Sequence, residues 1–463
     1  MTKEKILNFI GLFLMLFLML KTFDYLKENY FVFIFLYLAM SFVSVIFLYK
    51  LINIKTITSK AFIILLLTLS LIIRYYWITT TNTQPVSDFS VFYKTAIDIS
   101  KGNFNTIYNS TYYYYATYNV SYTLVLSIIF YFFKSLFALK VFNVIISLGI
   151  VYFFYKTALI ISSEKSARIA SLLIAIYPPF IIYTSVLTNQ TISILFLLIA
   201  LYKFFNKSSL LAVGLFLGLA QLMRPTAIIY LLGLILYIIL NIRIKSNLKT
   251  TVFNIIKITS VFYFVLFIFS SIYLLVNFSK HSLFYNPIPN YKILVGLNHK
   301  TTGLYSKTDN SLIIKSTYKE EANTLIKERV KDKSKLFKLI KNKINLFWGR
   351  EDRSLQWALT KNVKNHERYK FIYKHERYFN MTILIFGFLY FLFSVKNTTI
   401  LEEKTFFIFP LFGFLLIYMI IEIQTRYRYE IYPIFFFIAG SGIEKTVEIL
   451  KNKLFKPIVK KTN

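Results

Sequence analysis

A single aspartate follows the third long apolar run of the chain and opens a segment with helical periodicity. Asp88 lies within TNTQPVSDFSVFYKTAIDISKGN, directly after a polar turn around Pro85. A carboxylate at the mouth of a helical bundle can take a proton from a hydroxyl group and act as a general base. Ser87 or Asp88 could instead cap a helix that starts at Phe89, which requires no chemistry. Spacing alone leaves both interpretations open.

Charged residues also interrupt the last apolar runs. The sequence EIQTRYRYE places Arg426 and Arg428 between Glu422 and Glu430. A planar guanidinium matches the oxygens of a phosphate, so either arginine could hold one. On an α-helix, Glu422, Arg426 and Glu430 would share a face, and an ion-pair ladder would be the plain alternative.

Another arginine stands in a turn between two short apolar runs, where Pro225 follows Arg224. A cation at the end of a span could bind the same phosphate. It could equally be an ordinary side chain that reaches from the apolar region to the polar interface.

The segment 278–379 is long, polar and basic, and it holds all four histidines. His366 and His375 are nine residues apart, so on one helix they point to opposite faces. We therefore expect no metal site there, and we expect either a solvated basic face or docking of an anionic acceptor or of lipid phosphates.

Composition excludes most soluble enzymes. Of the 463 residues, 56% are hydrophobic and only 16% charged, and the net charge is +33. A water-soluble chain needs about a quarter of its residues charged. The absence of cysteine excludes thiolate chemistry and disulfides, and no nucleotide-binding loop or hydrolase motif is present. The basic residues lie between apolar runs, which indicates contact with membrane lipids and not with nucleic acid.

Twelve apolar runs are long enough to suggest membrane helices. We therefore predict an all-α polytopic membrane protein with about twelve spans, the first of them an uncleaved anchor. The runs are 6–20, 31–49, 61–78, 140–156, 167–184, 190–205, 209–223, 225–241, 258–277, 380–395, 405–421 and 430–447.

Lysine and arginine are concentrated in alternate loops, which predicts that both termini are cytoplasmic. The segments 79–139 and 278–379 then lie outside. Val120–Phe137 is apolar enough to cross as a thirteenth span, but crossing would invert the cation bias, so we expect it to lie along the outer leaflet as a juxtamembrane helix. The resulting regions are 1–78 (N-terminal spans), 79–139 (first outer loop), 140–277 (core spans), 278–379 (basic outer loop) and 380–463 (C-terminal spans and basic tail).

Four motifs in this order resemble the GT-C superfamily of membrane glycosyltransferases, such as protein O-mannosyltransferases and aminoarabinose transferases. Three of them are IAIYPPFIIYTSVLTNQ, GLFLGLAQLMRPTAIIYLL and EIQTRYRYEIYPIFFFIAGSGIE. The fourth is the first-loop pattern of Asp88, Tyr93, Ala96 and Gly102. The resemblance covers residues 70–445.

This resemblance implies an inverting hexosyl- or pentosyltransferase of the bacterial plasma membrane, with its active site on the outer face. A polyprenyl-phosphate sugar would be the donor, and a cell-envelope glycan, lipid or protein the acceptor. Asp88 would be the catalytic base. The residues expected to contact substrate are Arg426, Arg224, Tyr93, Arg428 and Tyr427.

The chain also departs from the family. The turn Thr188–Gln190 lacks the second acid that some members place there, so we expect no metal or other cofactor, although a divalent metal stays open. Two rival functions remain: an envelope polysaccharide polymerase, which would lack the pattern from Asp88 to Gly102, and a non-enzymatic flippase of lipid-linked sugars, which would carry charges near the bilayer midplane.

Overall fold

The computed structural model describes residues 3–30, 57–245, 248–359, 367–397 and 403–454, and these ranges contain helices and no strand. The first α-helices are α1 (Lys3–Tyr30), α2 (Ser59–Thr80), α3 (Asp88–Ser100), α4 (Asn105–Tyr108), α5 (Thr111–Tyr115), α6 (Val120–Phe133), α7 (Leu136–Ile161), α8 (Glu164–Ile176), α9 (Pro178–Ile182), α10 (Asn189–Phe205), α11 (Leu210–Met223), α12 (Ala227–Lys245) and α13 (Leu248–Leu275). They are followed by α14 (Tyr291–Gly296), α15 (Lys307–Asn310), α16 (Tyr318–Lys331), α17 (Lys333–Gly349), α18 (Ser354–Leu359), α19 (Glu367–Asn397), α20 (Ile408–Ile420) and α21 (Tyr432–Leu454). Short 3-10 helices occupy Thr117–Asn119, Tyr183–Ser185, Ser311–Ile314, Glu403–Phe407 and Thr425–Glu430.

Six helical stretches in these ranges are long and apolar enough to cross a membrane, which confirms an all-helical membrane protein. They are Lys3–Leu26, Ser59–Thr80, Leu136–Ile161, Leu248–Leu275, Phe371–Val395 and Glu403–Ile420. The pair Glu164–Ile176 and Pro178–Ser185, bent by 57°, would make a seventh. A total of twelve or thirteen stays a prediction, and the run at 31–49 lies outside the described residues.

Several predicted spans form shorter apolar helices, namely Asn189–Phe205, Leu210–Met223 and Ala227–Leu240. The single helix expected over Val120–Phe137 is wrong at its end. Helix α6 stops at Phe133 because Lys134 adopts a left-handed φ of 46°. The Ser135 hydroxyl then accepts a hydrogen bond from the Phe137 amide at 3.1 Å and starts α7.

The bend between α8 and α9 is held by an arginine buried in α2. The chain breaks there because Pro178 and Pro179 lack the N–H groups that would continue the helix. The Arg74 guanidinium donates to the freed Ala175 carbonyl at 2.9 Å and to the Ser147 hydroxyl at 2.7 Å. This buried cation therefore satisfies the polar groups that the break exposes.

Two glycines allow α11 to approach α13 closely. A Cβ at Gly214 would lie 2.6 Å from the Ile258 carbonyl oxygen, and one at Gly218 would lie 2.9 Å from the Val265 Cβ. Small residues four apart remove the side chains that would hold two membrane helices apart. The backbone contact thus fixes α11, which ends at Met223, directly before Arg224.

Residues 278–359, called the polar segment below, contain α14 to α18. The segment has a small core of its own, in which Tyr291, Leu294 and Val295 pack with Tyr318 and Ala322. Its docking to the end of α20 places it beside the segment 421–430.

Candidate active site

Asp88 stands at the first residue of α3, where the backbone turns sharply. Ser87 adopts a φ of 51°, and its side chain makes no capping hydrogen bond. The Asp88 side chain is 43% exposed, and its carboxylate oxygen lies 3.6 Å from an Nη of Arg426. The first helical turn therefore presents a carboxylate that is accessible to solvent and next to a cation.

Arg426 is held by aromatic rings in a site that excludes most water. Its side chain is only 9% exposed. The guanidinium carbon lies 5.0 Å from the centroid of the Trp357 ring and 5.3 Å from that of Phe89. The Gln190 side chain donates to the Arg426 carbonyl oxygen at 2.9 Å and fixes the backbone as well. A cation placed in this way keeps its position and acts through a low local dielectric constant.

Arg224 forms a tight ion pair with a buried acid. Its Nε lies 2.6 Å from the carboxylate of Glu430, whose side chain is 2% exposed. The Tyr427 ring lies between two cations, with guanidinium carbons at 4.7 Å for Arg224 and 5.7 Å for Arg426. Tyr427 thus packs beside Arg426, and Arg224 packs on Tyr427.

The alternative of an ion-pair ladder along one α-helix is wrong. Residues Thr425–Glu430 form a 3-10 helix, so Glu422, Arg426 and Glu430 do not share an α-helical face. Glu422 pairs with Lys292 of the polar segment at 2.5 Å, and its side chain is 4% exposed. Burial acts to raise the pKa of the Glu422 carboxyl, but the Lys292 ammonium outweighs it, and the pKa lies below its usual range.

A tyrosine of α5 packs against the helix that begins at Asp88. The Tyr112 ring packs at 6.1 Å against Phe92, which is one helical turn after Asp88. Its hydroxyl accepts a hydrogen bond from Asn119 at 2.8 Å. Burial raises the pKa of the Tyr112 phenol, and the Asp88 carboxylate raises it further. The phenol therefore stays protonated and can donate its own proton near the base.

The structure thus brings together Asp88, Arg426, Arg224 and Tyr427 and separates two other predicted residues. The Tyr93 ring packs against Phe130 of α6 at 5.9 Å. Within the described ranges it contacts neither Asp88 nor the arginines, because five helical steps of 100° turn it to another face.

Arg428 is 1% exposed and points into the protein. It donates to the carbonyl oxygens of Trp348 at 3.2 Å and Thr425 at 3.3 Å. It also faces the buried carboxyl of Asp352, whose pKa burial raises to about 6 while Arg428 opposes the rise. On a 3-10 helix, residues that are two positions apart in the chain point in directions 240° apart, so Arg428 and Arg426 cannot face the same ligand.

The described residues contain no cluster of three or more His, Asp or Glu side chains that could hold a metal. The acids near Arg426 are each committed to a cation: Asp88 to Arg426, Glu422 to Lys292 and Glu430 to Arg224. His366 lies outside the described residues.

Sequence reasoning missed the contribution of the polar segment to this site. Trp357 and Lys292 are distant in the chain from Asp88 and carry no motif that would connect them with it. Trp357 is one of only three tryptophans in the chain, and that scarcity was the single hint that the sequence offered.

Residues 120–274 match the model of the dolichyl-phosphate-mannose-protein mannosyltransferase family. The match confirms the predicted resemblance to GT-C membrane glycosyltransferases. It spans α6 to α13 and includes Arg224, whereas Asp88 and Arg426 lie outside it. A comparison with curated proteins finds no significant match.

Proposed function

We propose that this membrane glycosyltransferase, whose family match implies a sugar donor linked to polyprenyl phosphate, inverts the anomeric carbon and uses Asp88 as its base. The acceptor is a hydroxyl group of a cell-envelope glycan, lipid or protein on the outer face of the membrane. The observation that carries the proposal is the 3.6 Å approach between the exposed Asp88 carboxylate and the shielded Arg426 guanidinium. A base and a phosphate-binding cation in one site are what such a transfer requires.

The chemical step is a single displacement at C1 of the sugar. The acceptor hydroxyl gives its proton to the Asp88 carboxylate, and its oxygen forms a bond to C1. The bond between C1 and the phosphate oxygen breaks, and its electron pair leaves with the polyprenyl phosphate. Attack opposite to the departing oxygen inverts C1, and no covalent sugar–enzyme bond is needed.

Arg426 stabilises the charge that develops on the departing phosphate. A donor that is fixed before the reaction and kept from water is worth more than the same group in solution. Trp357 and Phe89 shield the guanidinium, and Gln190 holds its backbone. The arrangement therefore needs little rearrangement when the phosphate leaves.

The ion pair also suggests an order of events. Asp88 and Arg426 neutralise each other without substrate at 3.6 Å, which is longer than a direct charge-assisted hydrogen bond. The donor phosphate replaces Asp88 as the partner of Arg426. Asp88 is then released to accept the proton of the incoming hydroxyl.

Arg224 has a positioning role in this proposal. Its charge is already balanced by Glu430 at 2.6 Å. Its guanidinium supports the Tyr427 ring, which in turn packs beside Arg426. Loss of Arg224 would also leave the Glu430 carboxylate buried and unpaired, which destabilises the protein.

The test is Asp88→Asn in purified enzyme supplied with a polyprenyl-phosphate sugar and an envelope acceptor. We expect kcat to fall by about 10²–10⁴-fold because the amide cannot accept the proton. We also expect tighter binding of undecaprenyl phosphate, since the competitor for Arg426 loses its charge. Asp98→Asn, near the end of the same helix, is the matched control and should transfer as the wild type does. Transfer by Asp88→Asn at the wild-type rate would refute the assignment of the base.

A further inference from the structure

The polar segment brings a cation of its own to the site. Lys292 lies in α14, and its side chain is 48% exposed although its ammonium is 2.5 Å from the carboxylate of Glu422. An ammonium has three N–H donors. Among the described residues Glu422 is its one ionic partner, so donors remain for a second anion.

The backbone around Lys292 is fixed to the segment that leads to Arg426. The Lys292 carbonyl oxygen accepts a hydrogen bond from the Glu422 amide at 2.8 Å, and the Gly303 carbonyl accepts one from the Ile423 amide at 2.9 Å. Both bonds lie a few residues before Arg426. The position of Lys292 relative to Arg426 is therefore set by main-chain contacts, which a change of side chain leaves in place.

Lys292, Arg426 and Arg224 all act on one phenol. Burial raises the pKa of Tyr427, Glu422 raises it further, and the three cations oppose the rise. Arg224 is taken by Glu430 at 2.6 Å. Lys292 differs from Arg224 because its side chain is half exposed, and Arg426 differs because its acid, Asp88, is exposed and 3.6 Å away, so these two cations can still approach a ligand.

We propose that Lys292 binds the phosphate of the lipid-linked donor together with Arg426, so that the polar segment completes the active site. This inference rests on the proposed function and adds a binding residue to it. A released phosphate monoester carries close to two negative charges, which one guanidinium balances only in part. Lys292, whose side chain is half exposed, supplies the second positive charge.

A purely structural ion pair with Glu422 is the alternative, and the two roles differ in their consequences. If the pair only stabilised the fold, loss of either partner would have the same effect. If Lys292 binds phosphate, Lys292→Gln removes a ligand, whereas Glu422→Gln releases the ammonium from its competitor. Binding then weakens in the first variant and is unchanged or stronger in the second.

The probe is undecaprenyl phosphate, titrated against the full-length protein by thermal shift and as an inhibitor of transfer. Lys292→Gln should weaken its binding and raise the donor KM by about 10-fold, the value of one hydrogen bond between charged groups. The value of kcat should change less. Lys300→Gln, a nearby exposed lysine of the polar segment, is the matched control and should behave as the wild type does.

Two outcomes would overturn the inference: wild-type binding of undecaprenyl phosphate by Lys292→Gln, or equal weakening in Lys292→Gln and Glu422→Gln. These failures are distinct from failure of the proposed function. If Asp88→Asn abolishes transfer while Lys292→Gln binds normally, only the lysine assignment is wrong. If Lys292→Gln weakens binding while Asp88→Asn transfers normally, the phosphate site stands and the base must be sought elsewhere.

Discussion

The polar segment packs tightly against the end of α20 at Gly296. A Cβ there would lie 2.2 Å from the Ile420 carbonyl oxygen and 2.3 Å from the Ile421 carbonyl carbon. Both are backbone atoms, so no change of rotamer can relieve the clash. We therefore expect Gly296→Ala to push α14 away from the end of α20 and to carry Lys292 with it.

The size of the effect follows from the contacts between the polar segment and the bundle that the substitution disturbs. An extra methyl in a packed contact costs about 1–3 kcal/mol. The hydrogen bond from Lys343 to the Gly296 carbonyl, at 2.9 Å, would weaken as well and add about 1 kcal/mol. With about 2.1 cal/mol/K per residue, the unfolding entropy of the 463-residue chain is about 1 kcal/mol/K. A loss of about 2–4 kcal/mol therefore lowers Tm by roughly 2–4 °C if the junction melts with the rest.

The assay is thermal unfolding in detergent together with binding of undecaprenyl phosphate. Gly387→Ala is the control, because its Cβ would meet the flexible side chain of Met15 at 3.1 Å from the sulfur. The control should lose much less stability and keep its affinity. If the Gly296→Ala protein has the Tm and the affinity of the wild type, the polar segment does not pack against the end of α20 at Gly296.

Two further predictions concern residues near this junction. Burial lowers the pKa of the Lys343 amine in the folded protein to about 7. In the unfolded chain the pKa of a lysine is about 10.4. Between these two pKa values the unfolded chain binds more protons than the folded protein, so the free energy of unfolding should rise with pH from about 7 to 10. Unfolding at pH 7 and pH 9 checks this, and a Lys343→Met variant with the same pH slope as the wild type would contradict it. Trp357→Ala should weaken undecaprenyl phosphate binding by about 5-fold, since the ring contact with Arg426 is worth about 1 kcal/mol, while Trp357→Phe should retain most of the affinity. Equal affinities of the alanine variant and the wild type would show that the ring does not support Arg426.

The class of all-helical membrane protein was predictable because a membrane-spanning helix must be apolar along its length, and hydrophobic runs in the sequence show this directly. Helix ends were less predictable. The boundary at Phe133 depends on the left-handed conformation of Lys134, and a lysine gives no sign of such a turn. The bend after Ile176 was visible only as a pair of prolines, and the buried arginine that holds it went unnoticed.

The site was predictable in part. Asp88, Arg224 and Arg426 are charged residues at the ends of apolar runs, where the cost of burying a charge makes a functional role worth testing. Their partners were not predictable, because ion pairing across the fold depends on tertiary contacts. Arg428 shows the limit clearly: residues two positions apart point in different directions on either kind of helix, but only the tertiary structure shows that Arg428 is the one that turns inward to the Trp348 carbonyl.

The ammonium of Lys343 joins the polar segment to the bundle through main-chain oxygens, those of Gly296, Met419 and Ile421 at 2.8–3.0 Å. These hydrogen bonds depend on the position of the backbone and not on which side chains flank it. A foreign insert of unrelated sequence could be grafted onto the same bundle if it supplied one lysine and one residue without a side chain at the right separation. Because Lys292 and Trp357 lie in the same segment and are proposed to support binding of the donor phosphate, such an insert would also have to supply both of these side chains.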